Sequence, residues 1–154
     1  MFKKILWVTD FSPHAQAAGK KALDCAICCE GGAIDVLTVI NPKDIPQILE
    51  DLPNPFIDME QEKDLSKHLE DEYKQYVRSQ LITETAFLKK ANVPFTLHLR
   101  VGIPWKEIVH AAEEFGSTLI VIGSHGKRSL ADILLGSTAE NVSKHAPCPV
   151  LVVR

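Results

Sequence analysis

Three glycines near the C-terminal end of the chain stand at intervals suited to handling an anion. Gly123 and Gly126 have two residues between them, and Gly136 follows nine residues later, ahead of Ser137. Gly123 directly follows the apolar run TLIVI, and Gly136 closes the run LADILL where a helix is expected to open. A residue without Cβ lets a ligand lie against the backbone and permits a turn with positive φ. Ser124 and His125 continue that turn, in which successive N–H groups form an anion-binding nest. Ser137 and Glu140 match the S-x-x-E capping box, which puts the N-cap at Ser137. The free N–H groups and positive dipole end of a helix start then face the same point. Charge-assisted hydrogen bonds contribute about 1.5–3 kcal/mol each, while association costs roughly 4–15 kcal/mol. Phosphate contacts alone leave weak binding. Apolar contact with a base brings it to about micromolar, near −8 kcal/mol, so a nucleotide fits better than free phosphate.

Other phosphate motifs are excluded. A Walker loop ending at Gly126-Lys127 needs glycine five positions earlier, where Val121 stands, and it belongs after the first strand of its unit. The dinucleotide fingerprint G-x-G-x-x-G is absent after the first strand too. Asp10, which follows that strand, suits either a ribose contact or a cap on the first helix alongside Ser12. His125 has no partnered acid in the sequence, so no catalytic residue is assigned. Lys127 and Arg128 read as phosphate-steering groups or as a solvated turn. Cys25, Cys28 and Cys29 share one face of a predicted helix, and with Cys148 they read as small packing residues rather than metal ligands.

Elements that alternate along the chain must position these residues. Strands are expected over Lys4–Thr9, Ala33–Ile40, Phe95–Val101, Thr118–Ile122 and Pro149–Val153. A helix opens at Ser12-Pro13, an N-cap followed by proline at the first helical position, and ends at Gly31-Gly32. A long amphipathic helix carries Leu65, Leu69, Tyr73, Tyr76, Phe87 and Leu88 until Asn92-Val93-Pro94 breaks it. Pro104–Phe115 and a segment from about Ser137 supply two more helices. Short apolar strands separated by helices predict a parallel sheet covered on both faces, a doubly wound α/β layer forming one domain over residues 1–154. Residues 42–60 read as a variable, acidic, proline-rich loop with one short helical turn.

Composition narrows the partners. The net charge of −3 argues against nucleic acid. It is unevenly spread: residues 41–72 hold ten acidic side chains and three lysines, a local −7, which leaves +4 on the rest. No apolar run approaches the roughly 20 residues of a membrane span. The opening MFKKILWVTDFS lacks a cleavage site and is interrupted by Asp10, so it reads as the first strand of a cytoplasmic protein.

The pattern G-x2-G-x9-G-S/T resembles the nucleotide-binding signature of the universal stress protein family. The opening KILWVTDFS, the strand VLTVI and the closing HAPCPVLVVR are similar to that family at corresponding places. Every signature position is kept, which implies the ATP-binding branch. The departures are Val8, where many members have proline, and Thr118, where they have aspartate. The resemblance implies the strand order 3-2-1-4-5. It implies Asp10 on the ribose, Thr9 beside the base, Val39 offering backbone groups to adenine and Ile122 packing near it. Gly123 and Gly126 would border the ribose and α-phosphate, and Gly136, Ser137 and Thr138 the outer phosphates of ATP. It further implies a homodimer through the edge strand 149–153 and a role as a nucleotide-dependent regulator or sensor in stress response. Two alternatives stand beside this. One is a slow ATPase or autokinase with Mg²⁺ or Mn²⁺ bridging the phosphates; the other is an interaction scaffold that binds no nucleotide.

Overall fold

The computed structural model describes residues 1–44, 59–126 and 135–154. Its five strands are β1 (Lys4–Val8), β2 (Ala33–Ile40), β3 (Phe95–Val101), β4 (Leu119–Gly123) and β5 (Val150–Val153). They form one sheet in the order β3-β2-β1-β4-β5, with every neighbouring pair parallel, as the resemblance implied. Helices α1 (Pro13–Cys28), α2 (Met59–Glu84) and α3 (Ala86–Lys90) are interleaved with α4 (Pro104–Phe115) and α5 (Ser137–His145). Pro42–Asp44 makes a single 3-10 turn. Among the described residues no helix is long and apolar enough to cross a membrane.

Alternation along β1 explains why both faces are covered. Ile5 and Trp7 point into a layer with Ala18, Ala22 and Ala26 of α1, Leu81 of α2 and Leu88 of α3. Leu6 and Val8 point into a second layer with Ile108, Ala111 and Ala112 of α4 and Ala139 and Val142 of α5. A central strand buried on both sides has no polar face to present, hence the unbroken apolar run.

Helix α1 lies close against the sheet. Trp7 is fully buried and its indole Nε1 donates to the Ala15 carbonyl at 2.9 Å. Gly19 sits directly over that indole, and a Cβ built there would fall inside the ring. Glycine in a helix interior costs about 1 kcal/mol relative to alanine. Here the cost makes room for the largest core side chain.

Several boundaries differ from the expected ones. Strand β1 ends at Val8, because the Thr9 side chain joins a turn rather than a ladder. Strand β4 begins at Leu119, since Thr118 uses its hydroxyl on the Lys4 carbonyl at 3.0 Å. β5 begins at Val150. The long helix is not continuous: Thr85 interrupts it, its Oγ1 donating to the Leu81 carbonyl at 2.7 Å, and α3 starts afresh. The buried side chains described on that segment are Val77, Leu81, Thr85 and Leu88, while Tyr76 is 58% exposed. Of the expected stripe, Leu88 is buried, Leu69, Tyr73 and Phe87 are half-buried, and Tyr76 instead faces solvent; the Leu65 side chain lies outside the described residues. Of the proposed 42–60 loop, residues 45–58 lie outside the described residues, and Met59 is already in α2.

Gly19→Ala should lower stability in urea despite its better helix propensity, because overpacking a filled core costs about 1–3 kcal/mol. Combining it with Trp7→Phe should recover part of the loss; a stabilised Gly19→Ala protein would refute the packing role.

Candidate functional site

The C-terminal ends of the strands form a step. Val8, the last residue of β1, stands opposite Leu37 on one side and Ile122 on the other. Strand β2 runs on through Val39 and Ile40 while β4 stops at Gly123. At about 3.3 Å per residue, β2 overhangs β1 by roughly 7–10 Å. The strand order reverses between β1 and β4 beside this step, the place where ligands bind in open α/β sheets. Val39, half-buried, tops the apolar wall formed by Val8 and Ile122 on the α4–α5 side.

Residues 9–12 turn the chain from β1 into α1, and short polar side chains hold them. Thr9 Oγ1 accepts from the Phe11 N–H at 3.0 Å, and Asp10 Oδ1 accepts from the Ser12 N–H at 3.0 Å. Ser12 is the N-cap of α1, its Oγ accepting from Ala15 N–H, and Pro13 occupies the first turn. Phe11 is held at φ 66°, a left-handed conformation that bulky residues rarely adopt and that marks functional turns. Asp10 thus does cap the approach to α1. Its other oxygen, Oδ2, faces Gly126, where a Cβ would come within 2.7 Å.

The Ser124 peptide fastens the opposite wall. Its N–H donates to the Val153 carbonyl and its carbonyl accepts from the Gly136 N–H, both at 2.7 Å. A Cβ on Gly136 would press to 3.1 Å from that same carbonyl. Gly136, not Ser137, is the N-cap of α5, and it has no side-chain cap. The expected capping box is therefore absent. Ser137 is the first helical residue, and the Glu140 carboxylate turns instead to Lys144 Nζ at 2.6 Å. That hydrogen bond, and then the lysine charge, lower the Glu140 carboxyl below its ordinary pKa. The N–H groups of Ser137, Thr138 and Ala139 have no intrahelical acceptor, so the helix start is more open than a capping box would leave it.

The structure brings Asp10, Gly126 and Gly136 to one place, with exposed Ser137 and half-buried Thr138 opening α5 beside them. It does not bring Thr9 and Ile122 to it as side chains. Thr9 is 2% exposed, and its hydroxyl donates to Glu84 Oε2 of α2 at 2.8 Å on the other face of the sheet. Its backbone also bonds to β2, through the Leu37 carbonyl and the Thr38 hydroxyl. Ile122 is core. Gly123 meets α1 rather than open space: a Cβ there would lie 2.8–2.9 Å from the backbone of His14 and Ala15. Sequence reasoning missed Glu84, 75 residues from its partner, and His14, whose ring meets His125. No local spacing announces either pairing.

Burial first, and then the neighbouring Cys29, raise the Cys25 thiol above its ordinary pKa; burial raises Cys148 likewise. Protonated, part-buried thiols at neutral pH agree with packing roles. A separate open cleft of about 370 Å³ lies at the N-terminal ends of the strands, lined by Lys4, Asp35, Phe95 and Phe115 among others. It adjoins the C-terminal end of α4, where a helix dipole disfavours anions, so it does not compete with the strand-end step.

Fold and site define a class: a single-layer doubly wound α/β protein whose crevice at the strand reversal is walled by glycine turns and a bare helix start. A model of the universal stress protein family matches residues 1–154, and the chain belongs to that family. It is 36% identical over 163 residues to the universal stress protein MJ0577 of Methanocaldococcus jannaschii, covering 100% of this chain and 96% of that one. The solved structure of MJ0577 superposes with a TM-score of 0.82 at 32% identity, over 99% of this chain and 96% of that one. The universal stress protein UspA of Lactobacillus plantarum gives 0.78 at 25% identity, over 99% and 98%. Two others share the fold at lower identity, 22% and 20%, with TM-scores of 0.65 and 0.59. The first was solved with cAMP and the second, from Archaeoglobus fulgidus, with dAMP.

Gly123→Ala should shift the urea midpoint down by the equivalent of about 1–3 kcal/mol, since rigid helix backbone and not a movable side chain meets the new methyl. An unchanged midpoint would mean that α1 can retreat without cost.

Proposed function

We propose that this protein binds an adenine nucleotide, ATP in particular, in the strand-end crevice and acts as a nucleotide-dependent regulator or sensor in stress response. The observation that carries the reading is the uncapped start of α5 clasped to the Ser124–Gly126 turn directly across from Asp10. The helix start offers N–H donors with no side-chain cap, as an anionic chain requires. The nucleotide-bound relatives and the retained glycine signature support the same reading.

Roles follow from placement. Gly136, Ser137 and Thr138 receive the outer phosphates, and Gly126 lets the chain pass close to the backbone. Asp10 accepts from the ribose hydroxyls. The base lies over the apolar step, with Val39 offering backbone groups beyond the end of β1 and Ile122 beneath. Thr9 acts by fixing the strand end, and Gly123 by seating α1 against it. Mg²⁺ or Mn²⁺ accompanies the phosphates in the manner usual for ATP.

Heat-denatured protein should release ATP on anion-exchange chromatography, and the emptied protein should take it up in a calorimetric titration at about micromolar affinity, near −8 kcal/mol. Asp10→Ala should weaken ATP and AMP alike. Gly126→Val should lose about 100-fold or more, close to 2.7 kcal/mol, by displacing the Asp10 carboxylate and blocking backbone approach. No released nucleotide and no heat of binding would sink the reading and leave an interaction scaffold.

The same proposal includes a homodimer at β5. The two sheet edges are unlike. The outer strand β3 carries inward-facing His98 and Arg100, which pair with Asp35, Glu107 and Glu114 and discourage further strand pairing. Strand β5 is Val-Leu-Val-Val with Leu151 36% exposed, an edge suited to a two-fold partner. Leu151→Asp should convert the sedimenting species to monomer; a wild-type monomer at the same concentration would refute the dimer.

A further inference from the structure

We propose that Cys25 and Cys28, in the last turn of α1, are a thiol pair that hydrogen peroxide closes reversibly into an intramolecular disulfide. They are spaced Cys-Ala-Ile-Cys, and the helix runs through both of them. The Cys29 N–H donates to the Cys25 carbonyl at 3.1 Å, so the turn that carries the pair is α-helical. On a cylinder of about 2.3 Å radius with a rise of about 1.5 Å per residue, Cα atoms three residues apart are separated by roughly 5 Å. A disulfide spans Cα separations of about 4.4–6.8 Å, so the backbone already stands at bridging distance. Side chains at this spacing share a helix face with Cβ atoms about 5–6 Å apart, whereas a bridge needs roughly 3.5–4.5 Å. Closure therefore tightens the last turn by about 1–2 Å. A helix end gives more readily than a helix interior. Cys29 has already left helical geometry at φ −102° and ψ 97°, and Gly31 follows at φ 78°.

Exposure divides the labour among three neighbouring thiols. Cys28 is exposed, Cys25 is half-buried and Cys29 is only 6% exposed. Peroxide in solution meets Cys28 first. Burial, ahead of the neighbouring Cys29 and Asp24, raises the Cys25 thiol, which stays protonated until an electrophile forms beside it. The Cys28 thiolate attacks one peroxide oxygen, the O–O bond breaks and hydroxide leaves, giving a sulfenic acid at Cys28. The Cys25 sulfur then attacks the Cys28 sulfur. An S–S bond forms, the S–O bond breaks, and the oxygen leaves as water with the Cys25 proton. Two electrons pass to the peroxide, and two thiols plus one peroxide become one disulfide plus two waters.

The position also sets the regime. A helix C-terminus disfavours a thiolate, so the first step is slow and answers sustained oxidant rather than a trace. An exposed bridge that pulls on its own helix is readily reduced, which makes closure reversible by thiols. Both cysteines lie at the end of α1 opposite the crevice, so this chemistry stands independently of nucleotide binding.

The test treats the full chain with hydrogen peroxide, alkylates it with N-ethylmaleimide in denaturant and weighs it intact by mass spectrometry. Wild type should lose two hydrogens and keep two of its four alkylatable thiols. It should regain all four after dithiothreitol and run as a single chain on a non-reducing gel. Cys29→Ser and Cys148→Ser should close the bridge as wild type does. Cys28→Ser should form none. Cys25→Ser should instead gain two oxygens at Cys28, as sulfinic acid, for want of a resolving thiol. Should a serine variant prove unfolded by circular dichroism, fragmentation of the wild-type peptide between Cys28 and Cys29 assigns the bridge in its place. Four alkylatable thiols after peroxide would overturn the proposal, as would bridged dimers on the gel. A bridge that persists in Cys25→Ser or Cys28→Ser would do the same, because it would put Cys29 in the pair.

Discussion

Helix α1 rests on the sheet at a separation that only residues without side-chain bulk allow, and most of the structure depends on that approach. Ala15, Ala18, Ala22 and Ala26 form its buried face, and Gly19 clears the Trp7 ring. Gly123 clears the helix from the strand side, and Gly32 passes the last turn with no room for a Cβ, which would lie 2.7 Å from the Ala26 carbonyl. The Trp7–Ala15 hydrogen bond becomes possible only at this distance. Because the helix start is pressed onto the ends of β1 and β4, the turn that bears Asp10 and Ser12 is forced against the turn that bears His125 and Gly126. Packing in the core and geometry at the crevice are therefore one constraint read at two heights of the same helix.

Much of this was legible from residue order alone. Apolar runs alternating with helical spacings define a single parallel sheet covered by helices on both faces, because a strand buried on both faces leaves a different trace from a half-solvated one. The strand order came from resemblance, since no local pattern says which crossover skips a neighbour. The glycine spacing pointed to the strand-end turns but hid a division of labour. Gly123 serves helix packing, whereas Gly126 and Gly136 serve the turn around Asp10. The Ser137 capping box failed because Gly136 had already taken the cap position and Lys144 held Glu140. Thr85 looked like an ordinary helical residue, yet its hydroxyl bond to Leu81 accompanies the break between α2 and α3.

The Thr9–Glu84 hydrogen bond ties the end of the longest helix to the central strand just below the crevice. Thr9 also receives the Phe11 N–H, so one hydroxyl joins α2, β1 and the strained turn. The 9–12 turn and α2 thus share one hydroxyl as a common anchor. This contact lies on the face of the sheet away from α4 and α5.

The hydrogen bond between Gly136 N–H and the Ser124 carbonyl sets the two ends of the glycine-bounded segment side by side. Bringing those two ends together has an entropic cost that this hydrogen bond helps to offset. One short stretch of backbone, from Gly123 to Ser124, therefore both seats α1 and anchors the start of α5, so the two elements share a single foundation.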